Sequence, residues 1–159
     1  MKSNLLILSG ILLLSISGFS QENISDTLPT KIRESAIYGS AGGGPIVLSV
    51  NLNYELLFKE NPEKKLRKQG IRTATGLWLI WEDFGYFILA DYVWLTGAGN
   101  QHFEWGLGAS YYQELSGDEW LVLPAGYIAY RYQKPQGRLI FRSGIGFPDG
   151  LFLCFGYAF

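Results

Sequence analysis

The chain has 159 residues, one domain's worth, with 13 Lys and Arg against 14 Asp and Glu, a balance that gives no electrostatic footprint for nucleic acid. Cys154 is the only cysteine and His102 the only histidine, so an intramolecular disulfide is excluded and no metal-ligand spacing is recognisable. Neither a metal nor another cofactor is expected.

In chain order, residues 1–20 read as a secretory signal. Lys2 gives a short positive start, Leu5 to Ile16 form an apolar run, and Gly18-Phe19-Ser20 puts small residues at −3 and −1 of a cut before Gln21. The run is too short for a spanning helix, which needs about 20 apolar residues. Residues 21–34 are polar, contain Pro29 and show no periodicity; they read as a flexible periplasmic lead-in.

From Ser35 to Phe159, strand-like runs alternate with turn signals, and the reading places eight strands at 35–42, 45–58, 70–81, 86–97, 102–113, 121–133, 137–147 and 151–159. The connectors are Gly43-Gly44, the charged Lys59–Gln69, Glu82–Gly85, Ala98–Gln101, Glu114–Trp120, Lys134–Gln136 and Pro148–Gly150. The second run puts Ile46, Leu48, Val50, Leu52, Tyr54, Leu56 and Phe58 on one face and Ser49, Asn51, Asn53 and Glu55 on the other. The fifth and seventh repeat this, with Phe103, Trp105 and Leu107 opposite His102, Glu104 and Gly106, and Leu139 and Phe141 opposite Arg142. The first and fourth runs alternate less cleanly.

This predicts an all-β, eight-stranded antiparallel up-and-down barrel. A soluble barrel would turn the apolar face inward, but an eight-stranded interior only just accommodates side chains, and so many Trp, Tyr, Phe and Leu would overfill it. The small and polar faces suit a narrow interior, which makes the prediction a transmembrane barrel with lipid outside. An Arg facing lipid at mid-depth costs about 2–4 kcal/mol. Arg131 and Arg142 are therefore expected to point inward, together with Arg72, Glu55, Asp91 and Glu104. Three carboxylates and three guanidinium groups make a neutral interior set able to pair and plug the barrel.

The chain ends Leu151-Phe152-Leu153-Cys154-Phe155-Gly156-Tyr157-Ala158-Phe159, large and apolar at every odd position. This ending resembles the terminal strand of outer-membrane barrel proteins, in which Phe155, Tyr157 and Phe159 would correspond to the signal read by the barrel-assembly machinery. Leader, strand count and ending together resemble the small outer-membrane barrels of the OmpA/OmpX type. The runs Ile37–Gly42 and Gly126–Tyr132 look like those of small barrel proteins of the Bacteroidota. The resemblance implies a bacterial outer-membrane location, with membrane lipid and the assembly machinery as partners, and implies no activity.

Candidate chemistry is sparse. His102 shares a face with Glu104 and Ser110, but along a strand they lie about 7 and 27 Å away, so a nucleophile would have to come from another strand. Lipid A deacylases and acyltransferases use such barrels; here, however, the local sequence is His102-Phe103-Glu104, without the His-x-Ser arrangement of one deacylase group. Gly39, Gly42, Gly43 and Gly44 lack the Lys-Ser/Thr ending of a phosphate loop and read as a turn with close strand packing. Trp81 and Trp120 near one rim and Trp94 near the other read as interfacial aromatic girdles. The Lys59–Gln69 connector reads as a solvated turn, with contact to anionic headgroups or an unidentified periplasmic partner as the alternative. The expectation is a structural or envelope-associated barrel without catalytic activity. The alternatives are an outer-membrane lipid-modifying enzyme, a narrow pore or small-ligand transporter, and a soluble periplasmic barrel.

Overall fold

The computed structural model describes residues 32–45, 47–60, 66–81, 83–97, 99–115, 117 and 119–159. The leader, lead-in residues 21–31, Ile46 and residues 61–65 of the charged connector lie outside the described residues. Eight strands run in chain order: β1 (Ser35–Gly43), β2 (Val47–Glu60), β3 (Leu66–Ile80), β4 (Asp83–Thr96), β5 (Gln101–Glu114), β6 (Trp120–Gln133), β7 (Leu139–Phe147) and β8 (Gly150–Ala158). Each pairs antiparallel with its chain neighbour, and β1 pairs antiparallel with β8, closing an up-and-down barrel. No helix is present among the described residues.

Period-two alternation builds both surfaces, because successive side chains of a strand point to opposite faces. In β2, Leu48, Val50 and Leu52 are 55–60% exposed on the outside. Between them Ser49, Asn51 and Asn53 are at most 8% exposed inside. The polarity is inverted relative to a water-soluble barrel: large apolar side chains cover the exterior, and polar and charged ones fill the centre.

Unclean alternation in β4 has a specific cause. Its inward row is Phe87, Leu89, Asp91, Val93 and Leu95, all buried, so apolar residues occupy both faces. In β1 the inward row is Ala36, Tyr38 and Ser40, mixed in size and polarity. The interior is thus layered. Ile32, Leu57 and Leu95 pack together near the terminal end, and Ala74, Phe87 and Leu89 pack with Trp78 and Tyr112 towards the opposite mouth. Charged groups occupy the middle.

Several boundaries differ from the sequence reading. The charged connector is largely strand: β2 runs to Glu60 and β3 starts at Leu66, with Lys59 opposite Gln69 and Glu60 opposite Lys68. The ladder continues there because backbone pairing does not require an apolar outer face. Lys68 is buried and donates from Nζ to the Ile32 carbonyl at 2.8 Å, so this part is not a solvated turn. Ile32–Glu34, read as the end of the lead-in, are held on the barrel, the Glu34 carbonyl accepting from Leu57 N–H at 2.7 Å. β4 begins at Asp83, the reversal being made by Trp81, whose φ of 54° supplies the left-handed conformation that tight hairpins use.

β7 pairs with β6 only from Gly126 to Gln133, which leaves Trp120–Ala125 without a ladder partner on that side. Pro124 falls in this stretch, where the missing N–H breaks no ladder bond to β7. At the same mouth the β7–β8 turn folds back onto β1. A Cβ on Gly42 would collide with the Asp149 carbonyl oxygen, so glycine is required for that approach.

Candidate functional site

The inward rows of β2 to β7 bring Glu55, Arg72, Asp91, Glu104, Arg131 and Arg142 into the middle of the barrel, each at most 2% exposed. Arg131 is the hub. Its Nη1 donates to Glu55 Oε1 at 2.6 Å and to Glu104 Oε2 at 3.2 Å, while Nε and Nη2 share Gln133 Oε1 at 3.0 and 2.7 Å. Arg142 donates from Nε to Glu104 Oε2 at 3.2 Å and from Nη2 to Glu104 Oε1. Arg72 grips Asp91 Oδ2 through Nε, at 2.9 Å, and Nη2.

Two tyrosines tie the pairs together. Tyr127 donates its hydroxyl to Glu104 Oε1, and its ring lies 4.2 Å from Arg72 Cζ and 5.2 Å from Arg142 Cζ. Tyr38 donates to Glu55 Oε2 at 3.4 Å and stacks under Arg142 at 4.5 Å. Charges taken out of water are tolerated only when paired and hydrogen-bonded, and opposed guanidinium groups need a shared anion. Here Glu104 is that shared anion, Glu55 adds a second carboxylate to Arg131, and the aromatic faces add cation–π attraction. The arrangement joins side chains of six successive strands by charge-assisted bonds in the middle of the barrel. Its chemistry is cohesion: every carboxylate in it is engaged by a guanidinium group.

Closer to the mouth a second polar layer forms on β1 and β2. Asp149 turns back into the barrel and is buried, accepting from Asn51 Nδ2 at 2.8 Å and Ser49 Oγ at 3.3 Å. Asn53 donates to Ser40 Oγ at 3.2 Å and to the Tyr38 carbonyl at 3.3 Å. Sequence reasoning missed Asp149, which sits in a Pro-Asp-Gly turn and reads as a loop residue. It also missed Tyr38, Tyr127 and Gln133, although each has the inward parity of its strand; that parity was the available signal.

The remaining candidates are placed as follows. His102 lies inward near the start of β5, 3% exposed, its Nδ1 3.0 Å from the Thr96 carbonyl. Ser110 is buried further up the same strand and donates to the Leu123 carbonyl at 3.3 Å, so the two are not brought together. Cys154 is a buried free thiol on the inward row of β8. Among the described residues no group of His, Cys, Asp and Glu is arranged to hold a metal. Phe155 and Tyr157 lie exposed in the outward row of β8, and Phe159, one residue past the end of the strand, is exposed as well.

Outside, Trp94 stacks on Trp105 across β4 and β5 at 4.3 Å, flanked by Tyr92 at 4.7 Å. Near the other mouth, Tyr111 stacks on Trp120 at 6.3 Å, and Trp81 is exposed. Fold and interior together define a closed eight-stranded barrel with an apolar exterior and a buried, ion-paired centre. No protein-family model matches the chain, and no curated protein matches its sequence.

Proposed function

We propose that the chain is an exported integral outer-membrane barrel of the small OmpA/OmpX-like kind, with a structural or envelope-associated role and no catalytic activity. One observation carries this reading: the apolar rows face outward around the ring while the six ion-paired residues are buried at its centre. A contiguous apolar exterior of this extent is foreign to monomeric water-soluble proteins and suits hydrocarbon. Strands of 9 to 15 residues are long enough for a crossing, which takes roughly 9–11. Aromatic clusters near both ends fit interfacial girdles. Membrane lipid is then the permanent partner, the assembly machinery a transient one, and a periplasmic partner the role still to be sought.

Fractionation of the expressing cell with heat-modifiable gel mobility tests the reading. Recovery in the outer-membrane fraction, with a fast-migrating form lost on boiling, is the expected result; a chain soluble without detergent overturns it. The ion-paired centre also favours a plugged barrel over a pore, and planar bilayers containing the protein should show no conductance steps above background.

A further inference from the structure

The mouth opposite the termini contains a feature that the structural role does not use. It holds a cavity of about 470 Å³, within the size range of small-molecule sites. Its floor is aromatic and preformed. Phe87 is fully buried and stacks on Tyr112 with ring centres 5.7 Å apart; Trp78 meets Tyr112 edge-on at 6.4 Å, and Phe147 closes on Tyr112 at 6.4 Å. The Trp78 indole N–H donates to the Tyr86 carbonyl at 3.3 Å, which fixes the ring.

The described charges at this mouth have one sign. Glu114 and Glu119 line the cavity, and Asp83 at the start of β4 and Asp149 in the β7–β8 turn are the other acids described there. Among the described residues of these connectors there is no Lys, Arg or His. The described basic groups lie elsewhere: Arg72, Arg131 and Arg142 are consumed by the central ion pairs, and Arg33, Lys68, Lys134 and Arg138 sit towards the terminal end. A hollow with an aromatic floor and a carboxylate rim selects a particular ligand chemistry. Apolar rings or chains gain from the floor, a cation gains in addition from the aromatic faces and the carboxylates, and an anion is repelled.

We propose that this cavity binds an organic cation with an apolar body, its ring or chain on Trp78, Phe87 and Tyr112 and its ammonium group held between the aromatic faces and Glu114 and Glu119. The inference rests on the cavity and on charge placement, and it is independent of what covers the outside of the barrel.

The test compares three ligands of similar shape, 4-phenylbutylammonium, 4-phenylbutanol and 4-phenylbutyrate, titrated calorimetrically into the folded barrel in maltoside micelles against empty micelles. The cation is expected to bind at least about tenfold more tightly than the alcohol, with no saturable binding of the carboxylate. The double substitution Glu114→Gln and Glu119→Gln, of one half-buried and one exposed carboxylate, should remove the preference for the cation and leave the alcohol unchanged. Tyr112→Leu, its fold checked by circular dichroism, should lose both. Equal affinity for cation and alcohol, preference for the anion, a cation preference that survives the double substitution, or heats indistinguishable from empty micelles would each overturn the proposal.

Discussion

Arg131 and Arg142 stand directly opposite one another across the β6–β7 ladder, and both guanidinium groups reach the same carboxylate, Glu104. Like charges in opposed positions normally destabilise a sheet. The third strand in this contact, β5, supplies the anion that makes the pair tolerable. Glu104 is therefore the residue on which the centre depends most.

Glu104→Gln keeps the shape and removes the charge, leaving two guanidinium groups face to face without water. Breaking a buried ion pair by removing one partner costs about 3–5 kcal/mol. Glu55→Gln should cost less, since Glu55 meets only Arg131 among the guanidinium groups. Denaturant unfolding of the barrel in vesicles, read by tryptophan fluorescence, should rank the two in that order; equal midpoints would contradict the greater dependence on Glu104.

Gly42 touches the returning Asp149 backbone, whereas nothing lies within 4 Å of a Cβ built on Gly39. Gly42→Ala should push the β7–β8 turn away and loosen the Asn51–Asp149 bond, at about 1–3 kcal/mol for overpacking. Gly39→Ala, in the same strand, should be neutral in the same unfolding assay.

Leu52 lies in the outward row of β2. If hydrocarbon covers that row, Leu52→Arg costs about 2–4 kcal/mol near mid-depth, and the fraction folded into vesicles falls accordingly. In a barrel surrounded by water the same substitution would be close to neutral, so vesicle folding yields separate the two environments.

His102→Ala removes the contact with the Thr96 carbonyl and should lower stability by about 0.5–1.5 kcal/mol, the value of one hydrogen bond. The lipid A species of the host membrane, compared by mass spectrometry with and without this substitution, should be identical. A changed profile would revive the lipid-modifying alternative.

Much of the architecture was readable from the residues alone because the pleat is local. Alternation at i and i+2 in β2, β5 and β7 marks strands and assigns faces, and with turn signals it yields eight antiparallel strands. The strand ends were less readable: β2 and β3 carry their ladder through Lys59, Glu60 and Lys68, where composition suggests a loop. The inward parity of Glu55, Arg72, Asp91, Glu104, Arg131 and Arg142 follows from the same alternation. Not all of their partners do. Arg72 pairs with Asp91, its register neighbour on β4, but Glu55, its register neighbour on β2, pairs instead with Arg131, 76 residues away. Which side chains meet across the interior is set by the stagger and tilt with which the strands close, a property of the whole ring that no single strand contains. The same closure folds Asp149 inward and leaves the aromatic hollow at the mouth. The sequence alone thus determined that the chain forms strands and which residues face in; only the tertiary structure decided which of those residues touch.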